Sequence, residues 1–440
     1  MTALMGCNKD KQGSDTGGDG LSAETGTSDG DGDDDGGGDG DGAPLTCAEL
    51  VWLPGDLSPD ASSVGDICAA GNAVEGSLVL SGDAITDVVV SELDCLCAVG
   101  GVLRVSQTAL SSLQGLSSLQ TTGGLEVVDN AALETLGGLS GLTSTEAVTI
   151  SDNPAMVRIE GLSALRTAGP MTLSGLPLTN LRGLESLEEV GGDLVLERLD
   201  ALESMQGLSS LDFVDGNFSV TFTGAHDFSG LDAIRRVRSA LVLMDSSASL
   251  DGLDSLSTVG GTVRLERVDR LRDLAGLSGL TEIGGHLRIE DAPTLNSLTG
   301  MTALRNITGS VWLERTNVAS LAPLQTTVAV GGLRLDTNPE LASTAGLPPV
   351  IALSELVLHW NPSLTELTGL DTVRSVDGEL AVDGHAQLGS LMELMEIGSV
   401  SGDFSVQNNT LLSDADGEAL RDSIGSEDIG GTITIGGNSG

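Results

Sequence analysis

The chain has 440 residues and a formal net charge of −44, with 64 Asp and Glu against 20 Lys and Arg, and it contains no tyrosine. Nucleic acid and anionic lipid surfaces are bound through clustered Lys and Arg, so this balance argues against both as partners. After the N-terminus no stretch is apolar for the roughly eighteen consecutive residues that a membrane-spanning helix needs.

The chain opens with a short segment, residues 1–7, ending Leu4-Met5-Gly6-Cys7. It resembles a bacterial lipobox, in which a small residue precedes a cysteine that is acylated and becomes the mature N-terminus. Met5 departs from the small or β-branched residue usual there. The charged and apolar parts of such a signal would lie upstream, so 1–7 reads as a truncated lipoprotein signal with Cys7 as the lipidation site. That resemblance implies a bacterial cell-envelope protein, lipid-anchored to the outer membrane or cell surface and touching a membrane only through the anchor.

Residues 8–43 are Gly, Asp, Ser and Thr with hardly an apolar side chain. They cannot bury a core, and their like charges repel, which predicts an extended disordered tether. Within it Asp31, Asp33 and Asp35, followed by Gly36, match the start of an EF-hand loop. The twelfth position is Gly42 and not a bidentate glutamate, so weak cation condensation is expected in place of a specific calcium site. Lys9 and Lys11 are the only lysines of the chain, and all later positive charge is arginine.

Four cysteines follow, Cys47, Cys68, Cys95 and Cys97, all in the stretch 44–100. An even number clustered at one end points to two disulfides and an oxidising compartment. Cys95 and Cys97 are too close to pair with each other comfortably, so each should reach back to Cys47 or Cys68. A tetrahedral zinc site is the competing reading, but no C-x2-C pair is present. The stretch is read as an N-terminal cap with the first coil.

From 101 to 412 the sequence repeats. Ile283-Gly284-Gly285-His286-Leu287-Arg288-Ile289 is echoed by Val190-Gly191-Gly192-Asp193-Leu194-Val195-Leu196 and by Val259-Gly260-Gly261-Thr262-Val263-Arg264-Leu265. Between Leu103 and Phe404 every step from one such apolar run to the next is 22 to 24 residues. Each run alternates apolar and polar, the period of a half-buried strand. Five residues past its first apolar position an asparagine often stands, as at Asn130, Asn153, Asn338, Asn361 and Asn409. Asn suits a bend at a strand end, and stacked asparagines can form a ladder. A Gly-Leu-x-x-Leu phrase follows, for example Gly276-Leu277-Ser278-Gly279-Leu280.

A unit this short cannot close a core alone and must be covered by its neighbours. The expectation is a mainly β, right-handed parallel β-helix, or solenoid, of about 16 coils with ~23-residue repeats, on the order of 70 to 75 Å long. Residues 413–440 should cap it, with an amphipathic helix over Ser413 to Ile424 and a last strand over Thr432 to Ile435.

The pattern resembles leucine-rich repeats, although Ile283 to Leu287 is four positions where the L-x-x-L-x-L phrase has three. It is closer to the receptor L domain, the ligand-binding β-helix of growth-factor and insulin receptor ectodomains, which also occurs in bacterial surface lipoproteins. That resemblance implies a binding protein.

Catalysis finds little support. His226, His286, His359 and His385 fall at different phases of different repeats and should be separate in space. No H-E-x-x-H, G-x-S-x-G or P-loop occurs, and no cofactor is called for. The solvent-facing column of the strands reads Arg264, Arg288, Trp312 and Arg334, with Glu266, Glu290, Glu314 and Asp336 two positions further on the same face. This is either a solvated salt-bridge face or a partner-binding patch anchored by an exposed Trp312, with His359 and Trp360 two coils on. The functional expectation is a monomeric, surface-tethered recognition module binding a protein or glycan on this face. The alternatives are a structural spacer or adhesion rod and, behind it, a β-helix carbohydrate-active enzyme.

Overall fold

The computed structural model describes residues 47–327 and 329–440. Cys7, the Asp31, Asp33 and Asp35 carboxylates and the whole of 1–43 lie outside the described residues. Among those described, sixteen strands stack in parallel, from Leu78–Ser81 through to Ile433–Gly436, so that fifteen turns of chain form a parallel β-solenoid. The register is regular because the repeat is. Leu194 faces Met171 on one side and Phe218 on the other, and Val263 faces Leu241 and Leu287. First and third positions of the apolar run in every strand but the last, Ile433–Gly436, point inward and are buried, as at Leu194 and Leu196 or Leu287 and Ile289.

A second row, of two-residue strands, runs beside the first, for example Glu189–Val190, Phe213–Val214, Arg236–Val237 and Thr258–Val259. The apolar residue before each Gly-Gly is its inward member: Val190, Val259 and Ile283 are all buried. The repeated Gly-Gly makes the corner between the rows. A Cβ on Gly284 would stand 2.1 Å from the carbonyl oxygen of Gly260 one coil below, so a side chain there would push the coils apart. The far wall is built from leucines such as Leu133, Leu136, Leu139 and Leu142, every one fully buried, with short 3-10 turns such as Glu160–Leu162 and Ala275–Leu277 carrying the chain round. Each buried leucine contributes on the order of 1.5–3 kcal/mol.

The inward position after each strand carries the asparagines. Asn130 donates its Nδ2 to Oδ1 of Asn153 at 3.0 Å, and Asn338 donates to Oδ1 of Asn361 at 3.2 Å. In the middle of the solenoid the same column turns apolar, with Leu176 and Leu199 and later Val268 and Ala292.

At the N-terminal end the sulfurs of Cys47 and Cys97 are 2.00 Å apart and those of Cys68 and Cys95 are 1.95 Å apart, which makes two disulfides. They tie the helix Gly65–Ala70 and the strand Trp52–Leu53 to the first coils. The boundary placed at 100/101 falls inside a continuous strand, Ala98–Ser106, because the chain stays extended through the Gly100-Gly101 corner. At the other end the helix Asp414–Ile424 begins with a capping box, the backbone N–H of Ser413 donating to the Asp416 carboxylate at 2.8 Å. Its Leu420 and Ile424 are buried and Gly417 lies against Val406 and Ile435.

Candidate recognition face

The solvent side of the long sheet is organised by register. Arg264, Arg288, Trp312 and Arg334 are direct lateral partners, and so are Glu266, Glu290, Glu314 and Asp336. Two expectations need correction. Trp312 is half-buried, because the guanidinium carbons of Arg288 and Arg334 lie 3.9 and 4.9 Å from its ring centroid, one on each side. Glu266 and Glu290 are each only 6% exposed and so do not form a solvent-facing acidic column. Arginine side chains fold over them: Arg264 and Arg267 both bond Glu266, and Arg288 Nε donates to Glu290 at 2.5 Å. Stacked arginines therefore do not repel unopposed, since each has a carboxylate two residues along its own strand. Trp312 follows the same rule, its Nε1 donating to Glu314 at 3.2 Å. Arg334 departs from it. Its nearest carboxylate is Glu355, 4.0 Å from Nη1, and its Nε is buried without a hydrogen-bond partner.

A further column was not anticipated. The residue four positions past the first inward residue of each long strand is in the left-handed conformation at every coil, and this includes Asp129, Asp152, Arg198, Phe222, Asp245, Arg267, Asp291, Arg315, Thr337, Trp360 and Asn408, with glycine at Gly82, Gly175, Gly384 and Gly437. Such a conformation is uncommon outside Gly, Asn and Asp. Along the ridge it forms, Arg267 grips Asp245 through two bonds of 2.6 and 2.8 Å, and Arg315 grips Asp291 in the same way. The hydrogen bond from Arg267 holds the Asp245 carboxyl below its usual range, and that from Arg315 does the same for Asp291. The signal lay in the sequence as Asp and Arg alternating once per repeat, one residue before the inward position. Trp360 belongs to this ridge and not to the flat face, a third correction.

The histidines are not all apart. His359 continues the carboxylate column, with Nδ1 3.6 Å from Asp336 and Nε2 3.6 Å from Asp383. His385, fully buried, fills the asparagine position one coil on, with Nδ1 3.2 Å from the carbonyl of Asn361 and Nε2 3.1 Å from that of Leu358. Burial pushes the His385 imidazole down from its ordinary value, and its carbonyl contacts and Asp383 oppose that shift. The two are neighbours because a strand position and the inward position after the next strand lie side by side in a solenoid. Among the described residues no group of three or more His, Cys, Asp or Glu is placed to hold a metal ion. A cleft lined by Leu53, Pro54, Leu57, Pro59 and Ile67 together with Asp56, Ser63 and Asp66 sits at the N-terminal end away from the arginine and tryptophan stack.

The geometry defines the class: a leucine-rich-repeat-like parallel β-solenoid with a charged, cross-braced strand face. No protein-family model and no curated protein sequence matches the chain. Solved structures that it resembles include an internalin, inlF, of Listeria monocytogenes str. 4b F2365, at 11% identity over 85% of this chain and 88% of that one, TM-score 0.40. Another is TLR13 in its complex with ssRNA13, at 15% identity over 87% and 61%, TM-score 0.33. A third is the Toll–Spatzle complex of Drosophila, at 13% identity over 82% and 54%, TM-score 0.32. The chain thus spans less than two thirds of the matched chains in the last two.

Proposed function

We propose that this solenoid is a non-catalytic recognition module, held outside a bacterial cell through lipidated Cys7, and that a protein partner docks on the strand face at Arg288, Trp312 and Arg334. The observation that carries the reading is the state of Arg334. Its guanidinium lies against an indole and its nearest carboxylate, Glu355, is 4.0 Å away, in a chain where Arg104, Arg166 and Arg238 are each paired within 3.2 Å to the neighbouring coil. A partner carboxylate would complete it, and a tryptophan flanked by arginines supplies the anchor that interface hot spots favour. The two disulfides fit an oxidising compartment.

The test is capture of envelope and extracellular proteins by the immobilised full chain, beside Trp312→Ala and Arg334→Ala variants whose folding is checked by circular dichroism. The reading expects a partner retained by the parent and reduced at least about tenfold in both variants. A partner set indifferent to both would sink it and favour a structural rod.

A further inference from the structure

We infer that Trp360 is the floor of a second subsite, one that takes a neutral polysaccharide. The inference rests on the recognition reading but uses different residues. Trp360 follows the strand Leu356–His359 at φ 49°, a left-handed conformation that a bulky residue adopts only at a conformational cost. Its N–H is fixed to the carbonyl of Asp383 at 2.9 Å, and the residue is 55% exposed. Neither burial nor backbone preference explains a tryptophan there.

The seat beneath it is specific. On the next coil the ridge residue is Gly384, and a Cβ on it would stand 2.5 Å from Cε3 and 2.6 Å from Cδ2 of the indole. The ring therefore rests on bare backbone at Gly384, and over half of the residue's surface is exposed. Beside it runs a row of partly exposed polar groups: Asp336, His359 and Asp383, with side chains 20, 21 and 16% exposed. Ser405 Oγ donates to Asp383 at 2.9 Å, Gln407 Nε2 donates to Ser405 at 2.7 Å, and Thr337 Oγ1 donates to Asp336 at 2.8 Å.

A supported indole edged by carboxylates and an amide suits a pyranose. The apolar C–H face of the sugar stacks on the ring while its equatorial hydroxyls donate to the carboxylates. Charge selects among sugars. A chain of net charge −44, with two carboxylates at the rim, repels uronate and sulfate groups, so the ligand is a neutral chain with a flat C–H face, such as a β-linked glucan or mannan.

Native affinity electrophoresis tests this, with hydroxyethyl cellulose or galactomannan cast in the gel and carboxymethyl cellulose as the charged control. The expected result is retardation by at least one neutral polymer and none by the charged one. Trp360→Ala should need at least about tenfold more polymer for the same retardation, while Trp312→Ala behaves as the parent. No retardation in either neutral gel, retardation that survives Trp360→Ala, or equal retardation by carboxymethyl cellulose would each overturn the inference. So would loss of the captured protein partner on Trp360→Ala, which would assign the platform to that protein. If capture through Trp312 persists while the gels show nothing, only the polysaccharide site falls. If both fail, the recognition reading falls with it.

Discussion

Asn338 donates both its backbone N–H, at 2.9 Å, and its side-chain amide, at 3.2 Å, to a single oxygen, Oδ1 of Asn361 one coil further on. Asn361 in turn donates to the carbonyl of Leu335 at 2.9 Å, inside a core where every one of these atoms is shut away from water. Asn361→Ala strands two donors and one acceptor, and should cost about 3 kcal/mol or more, at the rate of roughly 1–3 per orphaned group. Urea unfolding followed by circular dichroism would measure it. Because Leu176 and Leu199 hold the same column apolar elsewhere, replacing Thr316, Asn338 and Asn361 together by leucine should cost less than the sum of the single changes.

His385 gives the solenoid an acid-sensitive step. Burial holds its imidazole below the ordinary value, so the folded chain takes up the proton at lower pH than the unfolded chain does. Its contribution to stability is complete above about pH 6.5 and is lost as pH falls through the folded value. His385→Asn should restore the ladder, offering Oδ1 to Asn361 as Asn361 offers its own to Asn338. The variant should be at least as stable as the parent at pH 8 and should lose less stability between pH 7 and 5. Urea midpoints across that range decide the matter, and an unchanged slope would count against the assignment.

The ridge pairs Asp245 with Arg267 and Asp291 with Arg315 are partly exposed, and water screens them. Arg267→Gln should therefore cost little, and 1 M NaCl should erase most of the difference. Both carboxyls are held below their usual range in the folded state, so what they contribute is present above about pH 4 and is lost as the pH drops through the folded values. Thermal melts in low and high salt would show it.

Reduction of Cys47–Cys97 and Cys68–Cys95, which close loops of 50 and 27 residues, should remove about 3–4 kcal/mol each by the chain-entropy account. Repeat stacks unfold locally, so the loss should stay near the N-terminal end. Trp52 fluorescence should change on reduction in a Trp312→Phe, Trp360→Phe background, while a chain carrying only Trp312 reports little.

Much of the architecture was readable because each coil repeats the same demand. Leu194, Leu287 and Val263 recur at a fixed step and all face inward, so one periodicity places strands, core and stacking together. The face was read less well. Alternation correctly puts Trp312 and Glu290 on the solvent side, but it says nothing of the next strand's side chains, and Arg288 covers both. Burial on an open sheet is decided by lateral neighbours 22 to 24 residues away, not by the local pattern. Trp360 was misplaced for another reason. Counting by twos carries it past the strand end, where the left-handed turn breaks the alternation.

That turn sets side-chain choice free from the fold. Gln107, Arg198, Phe222, Thr337 and Trp360 all occupy it with the backbone in the same state, so the corner accepts large, small, charged or aromatic groups. None of them contributes to the leucine interior. The ridge is thus a row of letters chosen apart from the interior, and a lineage could rewrite much of what the rod displays one coil at a time while the structural grammar beneath stays intact.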